Sequence, residues 1–352
     1  MHPLNSKRKG TRFPAPPGRQ ELAGWKRGGS PRLARVAQIL AASALSASLV
    51  LGLRAADNPT QASTVIRVDT RLVVLHATVV DKKGRLLLNL PESAFQVFEN
   101  GVPQHIKLFK REDVPVSMGL IIDNSGSMRE KRAKVEAAAL DLVKSSNPHD
   151  EVFIVNFNDE AFLDTDFTNK IADMEQGLSR IDSRGGTAMR DAIRMSIDHM
   201  KEKAKRDKKV LVVVTDGNDN ASQISLEDLV KTAQDSGVLI YTVGLLSDED
   251  HREAKRCKRA LQELSTVTGG EAYFPKELSE VDHVAHLVAR DIRNQYTLAY
   301  TPENAVLDGS FRQIRVTASG PNRPTVRTRT GYYATPDGIR GNTTAARNTT
   351  GN

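Results

Sequence analysis

Five oxygen-bearing side chains stand where short apolar runs or a glycine pair end, and together they could bind a small, hard cation. Two are carboxylates and three are hydroxyls: Asp123, Ser125, Ser127, Thr187 and Asp216. Oxygen donors of this kind are the ligands that hard, small cations prefer in proteins. The sequence therefore contains a candidate metal-binding set, spread over three segments of the chain.

The apolar runs ahead of the two carboxylates predict buried β-strands. Val116–Ile122 ends directly before Asp123, and Val210–Thr215 ends directly before Asp216. Short apolar runs without alternation are typical of strands buried on both faces of a parallel sheet. Thr187 follows two glycines and precedes a helical pattern. Because ligands of such sheets bind at the carboxyl ends of the strands, we expect the three segments to meet at that edge.

The whole segment between residues 115 and 295 alternates apolar runs with helical patterns. Two further runs occupy 152–157 and 239–243. Near its end, apolar residues recur at helical spacing along one face: Val281, Val284, Ala285, Val288 and Ile292. Alternating strands and helices predict a central, mostly parallel sheet covered by helices on both sides. We therefore expect an α/β domain over residues 115–295.

Short strand patterns flank this segment on both sides and predict a small β-sandwich. Residues 64–112 contain several such patterns and an Asn100-Gly101 pair, which is a strong signal for a two-residue hairpin. Residues 296–334 contain further alternating patterns. Neither flank has enough strands for an independent sandwich. We therefore expect the two flanks to fold together, with the α/β domain between them.

The order and context of the five oxygen-bearing residues resemble the site of the von Willebrand factor type A family, in which Asp-x-Ser-x-Ser is followed by Thr and then by Asp. All five positions match in order, and the Gly-Gly-Thr and Thr-Asp-Gly contexts are similar too. With the flanking strands and the closing Tyr332-Tyr333, the chain resembles the related proteins found chiefly in Acidobacteria. The resemblance implies a Rossmann-like domain of this family over 115–295, inserted in or flanked by the small sandwich.

The resemblance also implies a metal-ion-dependent adhesion site. Its ion would be Mg²⁺ or Mn²⁺, bound in part through water, with one coordination position left for an Asp or Glu carboxylate of a protein partner. The implied ligands are Asp123, Ser125, Ser127, Thr187 and Asp216. Asp219, in the same loop as Asp216, is a candidate to support these ligands, and a solvated loop acid is the alternative. The acidic run at 248–250 is either a second cation site or a solvated turn.

Residues 1–56 have the layout of an export segment. Nine Lys and Arg residues against the single acid Glu21 occupy 1–35, and eighteen uncharged, mostly apolar residues follow at 36–53. A basic flank ahead of an apolar core is typical of a signal peptide. An uncleaved segment of this length is just long enough to span a bilayer. We expect a secreted or periplasmic protein, anchored to the membrane only if this segment is retained.

The distribution of charge argues against nucleic acid as a partner. The chain has a net charge of +7, but beyond residue 35 it has 41 Lys and Arg residues against 42 Asp and Glu residues. Binding to nucleic acid requires a basic surface on the folded domain. The basic excess instead belongs to the N-terminal segment, so we expect no nucleic-acid partner.

Cys257 is the single cysteine, so the chain forms no intrachain disulfide. Its basic neighbours leave two interpretations open, a thiol of lowered pKa or a partly buried helix residue.

Residues 335–352 are rich in Gly, Asn and Thr, and this composition predicts a disordered tail.

No recognisable catalytic constellation accompanies the metal-binding set. Position 125 is Ser, where phosphatases with an Asp-x-Asp motif carry a second carboxylate, and the sequence has no phosphate loop. The eight His residues are scattered without a paired nucleophile. We therefore expect no enzymatic activity and favour an exported, metal-dependent binding module for adhesion or scaffolding. A structural envelope protein with a vestigial site and, less favoured, a metal-dependent hydrolase are the alternatives.

Overall fold

The computed structural model of the chain describes residues 72–179, 183–246, 251–320, 323–336 and 338. All of these residues belong to one compact unit. The predicted export segment at 1–56, the acidic run at 248–250 and most of the predicted tail at 335–352 lie outside them. Among the helices of the described ranges, none is long and apolar enough to cross a membrane.

The described residues form fourteen strands and six α-helices. The strands are β1 (Val73–Val80), β2 (Phe95–Glu99), β3 (Val102–Gln104), β4 (Ile106–Lys110), β5 (Val116–Asp123), β6 (Glu151–Phe157), β7 (Ala161–Thr168), β8 (Lys208–Thr215), β9 (Leu239–Gly244), β10 (Ala272–Tyr273), β11 (Tyr296–Tyr300), β12 (Phe311–Ala318), β13 (Thr325–Arg327) and β14 (Gly331–Tyr333). The helices are α1 (Arg132–Lys144), α2 (Ile171–Leu178), α3 (Met189–Lys203), α4 (Leu226–Ser236), α5 (His251–Thr268) and α6 (Val281–Arg293). Short 3-10 helices occupy Glu92–Ala94, Gly126–Met128 and Leu278–Glu280.

The central sheet has the strand order β10-β9-β8-β5-β6-β7. Its strands are parallel except for β7, which pairs with β6 in the antiparallel direction at one edge. All residues of β5, β6 and β9 are buried, as the apolar runs predict for strands covered on both faces. The predicted α/β fold with a mostly parallel central sheet is confirmed.

Helices cover the two faces of this sheet. On one face, α1 and α6 pack against side chains such as Leu120 and Ile122. On the other face, α3, α4 and α5 pack against side chains such as Ile121 and Val213. The predicted apolar stripe of α6 belongs to the first layer, with Ala285 partly buried and the other four residues buried. Its spacing of three and four residues therefore correctly marks the face that packs on the sheet.

The residues before and after the α/β domain form two further four-stranded sheets. Their strand orders are β13-β1-β11-β4 and β14-β12-β2-β3, so each sheet combines strands from both flanks. Leu75 pairs with Leu298 in the first sheet, and Val97 pairs with Val316 in the second. All four side chains belong to a single buried apolar cluster. Two sheets that share one core form the predicted small sandwich.

The hairpin predicted at Asn100-Gly101 joins β2 to β3. Both residues have positive φ angles, 48° and 83°, as a type I′ turn requires. Residues 86–88, in the flank expected to form strands, make only an isolated bridge between Val80 and Leu86. The Asp81 carboxylate accepts hydrogen bonds from the backbone of Lys83 and Arg85 and so stabilises the turn that leads to this bridge.

Candidate functional site

The first carboxylate lies at the carboxyl edge of the central sheet. Asp123 ends β5, which pairs with β8 up to the contact between Ile122 and Val214. Its Oδ2 accepts a hydrogen bond from the Thr215 hydroxyl at 2.5 Å, and its Oδ1 accepts one from the Ser125 amide at 2.8 Å. Asp123 is completely buried. Its position is therefore fixed by β5, β8 and the loop that follows β5.

The second carboxylate is linked to the two serines. The Ser127 hydroxyl donates to Asp216 Oδ1 at 2.7 Å, and the hydroxyls of Ser125 and Ser127 are 3.2 Å apart. Since Asp216 follows β8 and the serines follow β5, neighbouring parallel strands bring these groups together. Four of the five predicted residues thus form one hydrogen-bonded group at the sheet edge.

Thr187 reaches the same group from the loop ahead of α3. The Cβ that Gly217 lacks would lie 3.8 Å from the Thr187 hydroxyl oxygen, so this hydroxyl faces the segment that carries Asp216. The backbone of Thr187 is held by Asn220, whose side chain accepts from the Thr187 amide at 2.9 Å. The backbone N–H of Asn220 in turn donates to the Thr187 carbonyl at 3.1 Å. The structure therefore brings all five predicted residues to one edge of the sheet.

The glycine pair before Thr187 makes room for Asp159, which sequence reasoning missed. Gly185 has a φ of +75°, and a Cβ there would collide with the Asp159 carboxylate. Asp159 also accepts a hydrogen bond from the Gly186 amide at 2.7 Å. The two glycines are required because the loop must approach this carboxylate closely. The only sequence signal was the glycine pair itself, which indicates a close approach but not its partner.

Lys131 is a second residue of the site that the sequence pattern did not single out. Its ammonium lies 2.5 Å from Asp216 Oδ2, and the Asp216 side chain is fully buried. The contact forms because the 3-10 turn at Gly126–Met128 leads the chain back over the sheet edge before α1 begins. A lysine ahead of a helix is common, so no local signal distinguishes this one from a solvent-exposed residue.

The candidate site brings two carboxylates close together in a buried environment. The pKa of Asp123 is raised, chiefly by burial and further by the nearby charge of Asp216, while hydrogen bonds from Ser125 and Thr215 oppose the rise. Lys131 pairs with Asp216, and the buried Arg132 guanidinium donates to the Asp123 backbone carbonyl at 3.1 Å while it pairs with Glu136. Two adjacent carboxylates and three hydroxyls are a donor set that fits a small divalent cation.

Asp219 lies against the first turn of α3, and its role in supporting the five candidate ligands stays a prediction. Its carboxylate accepts from the Arg190 backbone amide at 2.7 Å and forms an ion pair with the Arg190 guanidinium at 3.1 Å. It also accepts from the Ser222 hydroxyl at 2.7 Å, and its side chain is only 6% exposed. Asp219 is therefore not a solvated loop acid. It fixes the first turn of α3, which follows Thr187 directly.

Cys257 lies behind the metal-binding set and is buried. Its thiol donates to the Gly217 carbonyl at 3.0 Å. Burial raises the pKa of this thiol to about 12, and the charges of Asp123 and Asp216 add to the effect. The interpretation of Cys257 as a buried helix residue is therefore correct, and its basic neighbours do not produce a reactive thiolate.

His, Cys, Asp and Glu side chains do not form a metal site on their own in the described ranges, where no group of three or more comes together. His283 and His286 both lie on the exposed side of α6. The candidate site at the sheet edge differs because three of its five residues contribute hydroxyl groups. This composition is the property that the sequence pattern had indicated.

Residues 118–287 match the profile of the von Willebrand factor type A domain. The chain therefore contains a domain of this family, and its α/β fold is the fold of that family. Among curated proteins, calcium-activated chloride channel regulator 1 of Mus musculus is 31% identical over 159 residues, and its Macaca mulatta counterpart is 28% identical over 159 residues. These matches cover 43% of this chain but only 16% of each relative.

Two bacterial structures are among those similar to this chain. The vWF domain of the type V pili tip protein Mfa5 from Porphyromonas gingivalis has 14% identity and a TM-score of 0.41, with 51% of this chain and 97% of that chain covered. An aerotolerance-related membrane protein from Bacteroides fragilis has 19% identity and a TM-score of 0.42, with coverage of 50% and 98%.

Proposed function

We propose that this protein is an exported binding module whose von Willebrand factor type A domain captures a protein partner through a divalent ion. Domains of this family are generally protein-interaction or adhesion modules. The observation that carries the proposal is the convergence of Asp123, Asp216 and three hydroxyls at one edge of the central sheet. We also propose that the domain is not catalytic. The proposal further includes the resemblance of the chain to the related proteins found chiefly in Acidobacteria.

The residues proposed to hold the ion are Asp123, Ser125, Ser127, Thr187 and Asp216. Two carboxylates nearly neutralise a dication, whereas neutral hydroxyls leave it able to attract a further anion. Mg²⁺ or Mn²⁺ bound here would supply the positive charge that an Asp or Glu carboxylate of the partner needs. The role of the fold is to hold the donors on strand ends and on loops fixed by Asn220 and Asp219.

The location outside the cytoplasm rests on the sequence of residues 1–56. Fractionation of cells that express the full-length chain tests it, because an exported chain is recovered from the periplasm, the envelope or the medium. Recovery from the cytosol alone would contradict this part of the proposal and leave the proposal about the ion unaffected.

Calorimetry with Mg²⁺ and with Mn²⁺ tests the ion site itself. We expect Asp123→Ala and Asp216→Ala to weaken ion affinity at least about 100-fold, because each removes a charged ligand. Thr187→Ala is expected to weaken it by only about tenfold, since water can partly replace a neutral hydroxyl. The exposed carboxylate of Asp141, on α1, provides the control, and Asp141→Ala should bind both ions like the wild type.

Partner capture is tested by a pull-down from envelope extract with Mg²⁺ or with chelator. A partner recovered only with Mg²⁺, and lost in the Asp123→Ala variant, supports the proposal. Equal ion affinity in the wild type and all the site variants would mean that these residues do not form the site. A partner retained equally with chelator would mean that capture does not depend on the ion.

A further inference from the structure

A broad groove with basic walls lies beside the candidate ion site. It has a volume of about 850 Å³ and is bordered by the start of α3, the loop after β8 and the first half of α5. We call it the basic groove. Its charged lining residues are Arg190, Asp219, Arg252, Lys255, Arg256, Arg259 and Glu263.

The positive charge of the groove comes mainly from one stripe of α5. The stripe consists of Arg252, Lys255, Arg256 and Arg259. Successive members are three, one and three positions apart, so the helical repeat places them on one face. All four side chains are exposed. Within the described parts of the chain, Lys255, Arg256 and Arg259 make no ion pair. Lys255, Arg256 and Arg259 therefore contribute positive charge that none of the described residues neutralises.

The acidic residues of the groove leave most of this charge uncompensated. Asp219 is engaged by Arg190 and by Ser222 on the opposite wall. Among the described lining residues, Glu263 is then the remaining carboxylate, against Lys255, Arg256 and Arg259. A concave surface lined by one sign of charge concentrates the opposite charge near it. The groove is thus suited to an anionic ligand.

The groove and the candidate ion site share one loop. Asn218 and Asp219 line the groove, and they follow directly after Asp216 and Gly217 in this loop. The thiol of Cys257, on α5 between two residues of the stripe, donates to the Gly217 carbonyl at 3.0 Å. The loop that carries Asp216 therefore also packs against α5, so a ligand of the ion lies next to the groove.

We propose that the basic groove binds an acidic segment of the protein partner, whose first carboxylate completes the coordination of the ion and whose following carboxylates contact the α5 stripe. This inference rests on the proposed function and adds the chemistry of the partner. The half-buried apolar side chains of Leu226 and Ala260 also line the groove and suit a polypeptide. Outside the groove a nucleic acid gains no general attraction, because the chain beyond residue 35 has 41 Lys and Arg residues against 42 Asp and Glu residues.

The dimensions fit an extended peptide. The stripe from Arg252 to Arg259 extends about 10 Å along the helix axis. Alternate side chains of an extended strand are about 7 Å apart on one side. Two acidic residues in alternation therefore span the stripe, and a third can reach towards the ion. The groove thus selects clustered acidic residues rather than a single carboxylate.

Fluorescence anisotropy with the purified full-length chain tests this proposal. The probe is a labelled peptide of about ten residues in which Glu alternates with Ser, a length that exceeds the groove when extended. The control peptide carries Gln in place of Glu. We expect the Glu peptide to bind in Mg²⁺, to bind less tightly with more salt, and to exceed the Gln peptide in affinity at least about tenfold.

The decisive variant replaces three basic residues of the stripe, as Lys255→Gln, Arg256→Gln and Arg259→Gln together. This variant should bind the Glu peptide about tenfold less tightly than the wild type, as expected for the loss of three exposed ion pairs. Its affinity for Mg²⁺ should stay within about twofold of the wild-type value. The matched control is Lys201→Gln, Lys203→Gln and Lys205→Gln, which removes the same charge from exposed positions at the far end of α3. This control should bind the Glu peptide like the wild type.

The outcomes separate this inference from the proposed function. Mg²⁺-dependent peptide binding that is equal in the stripe and control variants would overturn the groove and leave the ion site intact. Peptide binding lost in the stripe variant but unchanged by chelator or by Asp123→Ala would support the groove and overturn the ion-dependent function. Tighter binding of a sulfated polysaccharide or an oligonucleotide than of the Glu peptide, lost in the stripe variant, would overturn the assignment of the groove to an acidic polypeptide.

Discussion

The two ends of the central sheet both carry buried charged residues, but these charges are arranged differently. At the carboxyl end, the two carboxylates Asp123 and Asp216 are neighbours, and Lys131 pairs with Asp216. At the amino end, Arg293 forms ion pairs with Asp113 at 2.6 Å and with Asp150 at 2.5 Å. One end thus brings two like charges together, whereas an arginine lies between two carboxylates at the other.

The pairing at the amino end connects the α/β domain to the sandwich. Asp113 follows β4 and Arg293 ends α6, so their ion pair joins the points where the chain enters and leaves the domain. Arg327 of β13 pairs with Asp291 of α6, and the Gln295 amide donates to the Thr78 hydroxyl at 3.1 Å. Paired charges between elements therefore connect the α/β domain to the sandwich, whereas the two neighbouring carboxylates at the opposite end belong to the proposed ion site.

Truncation after Asn294 removes Gln295, Arg327 and half of the sandwich strands, and it should have the largest effect. It removes both neighbours of β1, namely β11 and β13, and also removes β12 beside β2. We expect limited proteolysis to digest residues 64–110 much faster than in the full chain, because unpaired strands expose backbone groups. Equal digestion rates would contradict a sandwich shared between the two flanks.

Arg293→Ala should lower the free energy of unfolding by about 3 kcal/mol, since it leaves the Asp150 carboxylate buried without its partner. Denaturant titration measures this change. Arg194→Ala is the control, because its ion pair with Asp198 is exposed and should contribute less than about 1 kcal/mol. The affinity for Mg²⁺ should be unchanged in both variants. A loss of ion affinity in Arg293→Ala would show that the two ends are not independent.

Lys208 at the amino end should make stability depend on pH. Burial lowers the pKa of Lys208 from 10.5 to about 7, and nearby Arg293 adds to the effect, while Asp113, Asp291 and Asp150 oppose it. Between pH 7 and pH 10 the folded protein releases a proton that the unfolded chain retains, so stability rises with pH in this window.

Lys208→Met tests this contribution by urea unfolding at pH 7 and pH 9. The wild type should gain about 2 kcal/mol more than the variant between these two pH values. Other titrating groups are common to both proteins and cancel in the comparison. The same pH dependence in the wild type and in Lys208→Met would show that this lysine stays charged in the folded protein.

Of these changes, Lys131→Met at the carboxyl end should have the smallest effect. The ammonium and a divalent ion both compensate Asp216, so its removal should tighten Mg²⁺ binding about tenfold. The metal-free variant should also melt at a lower temperature, because the two carboxylates lose their compensating charge. Lys134→Met is the control, since Lys134 pairs with Asp282 instead. Weaker Mg²⁺ binding in Lys131→Met would mean that Lys131 supports the ion site rather than competing with the ion.

The sequence alone predicted the parts of this protein that depend on local patterns. Apolar runs identified β5, β6, β8 and β9, helical spacing identified the buried face of α6, and Asn100-Gly101 identified a hairpin. These features are encoded locally because burial and backbone conformation repeat with the period of each element. The order of polar residues after the strands also indicated the five members of the candidate site.

Only the tertiary structure decided which distant groups meet. The Lys131 ammonium pairs with Asp216, 85 positions away in the sequence, and the Asp219 carboxylate pairs with Arg190, 29 positions away. Asp159 fits against Gly185, and the α5 stripe borders the loop that carries Asp216. Such contacts depend on strand order, on the loops between elements and on side-chain rotamers. No periodic pattern encodes these properties, so the charge balance at each end of the sheet follows from the assembled fold.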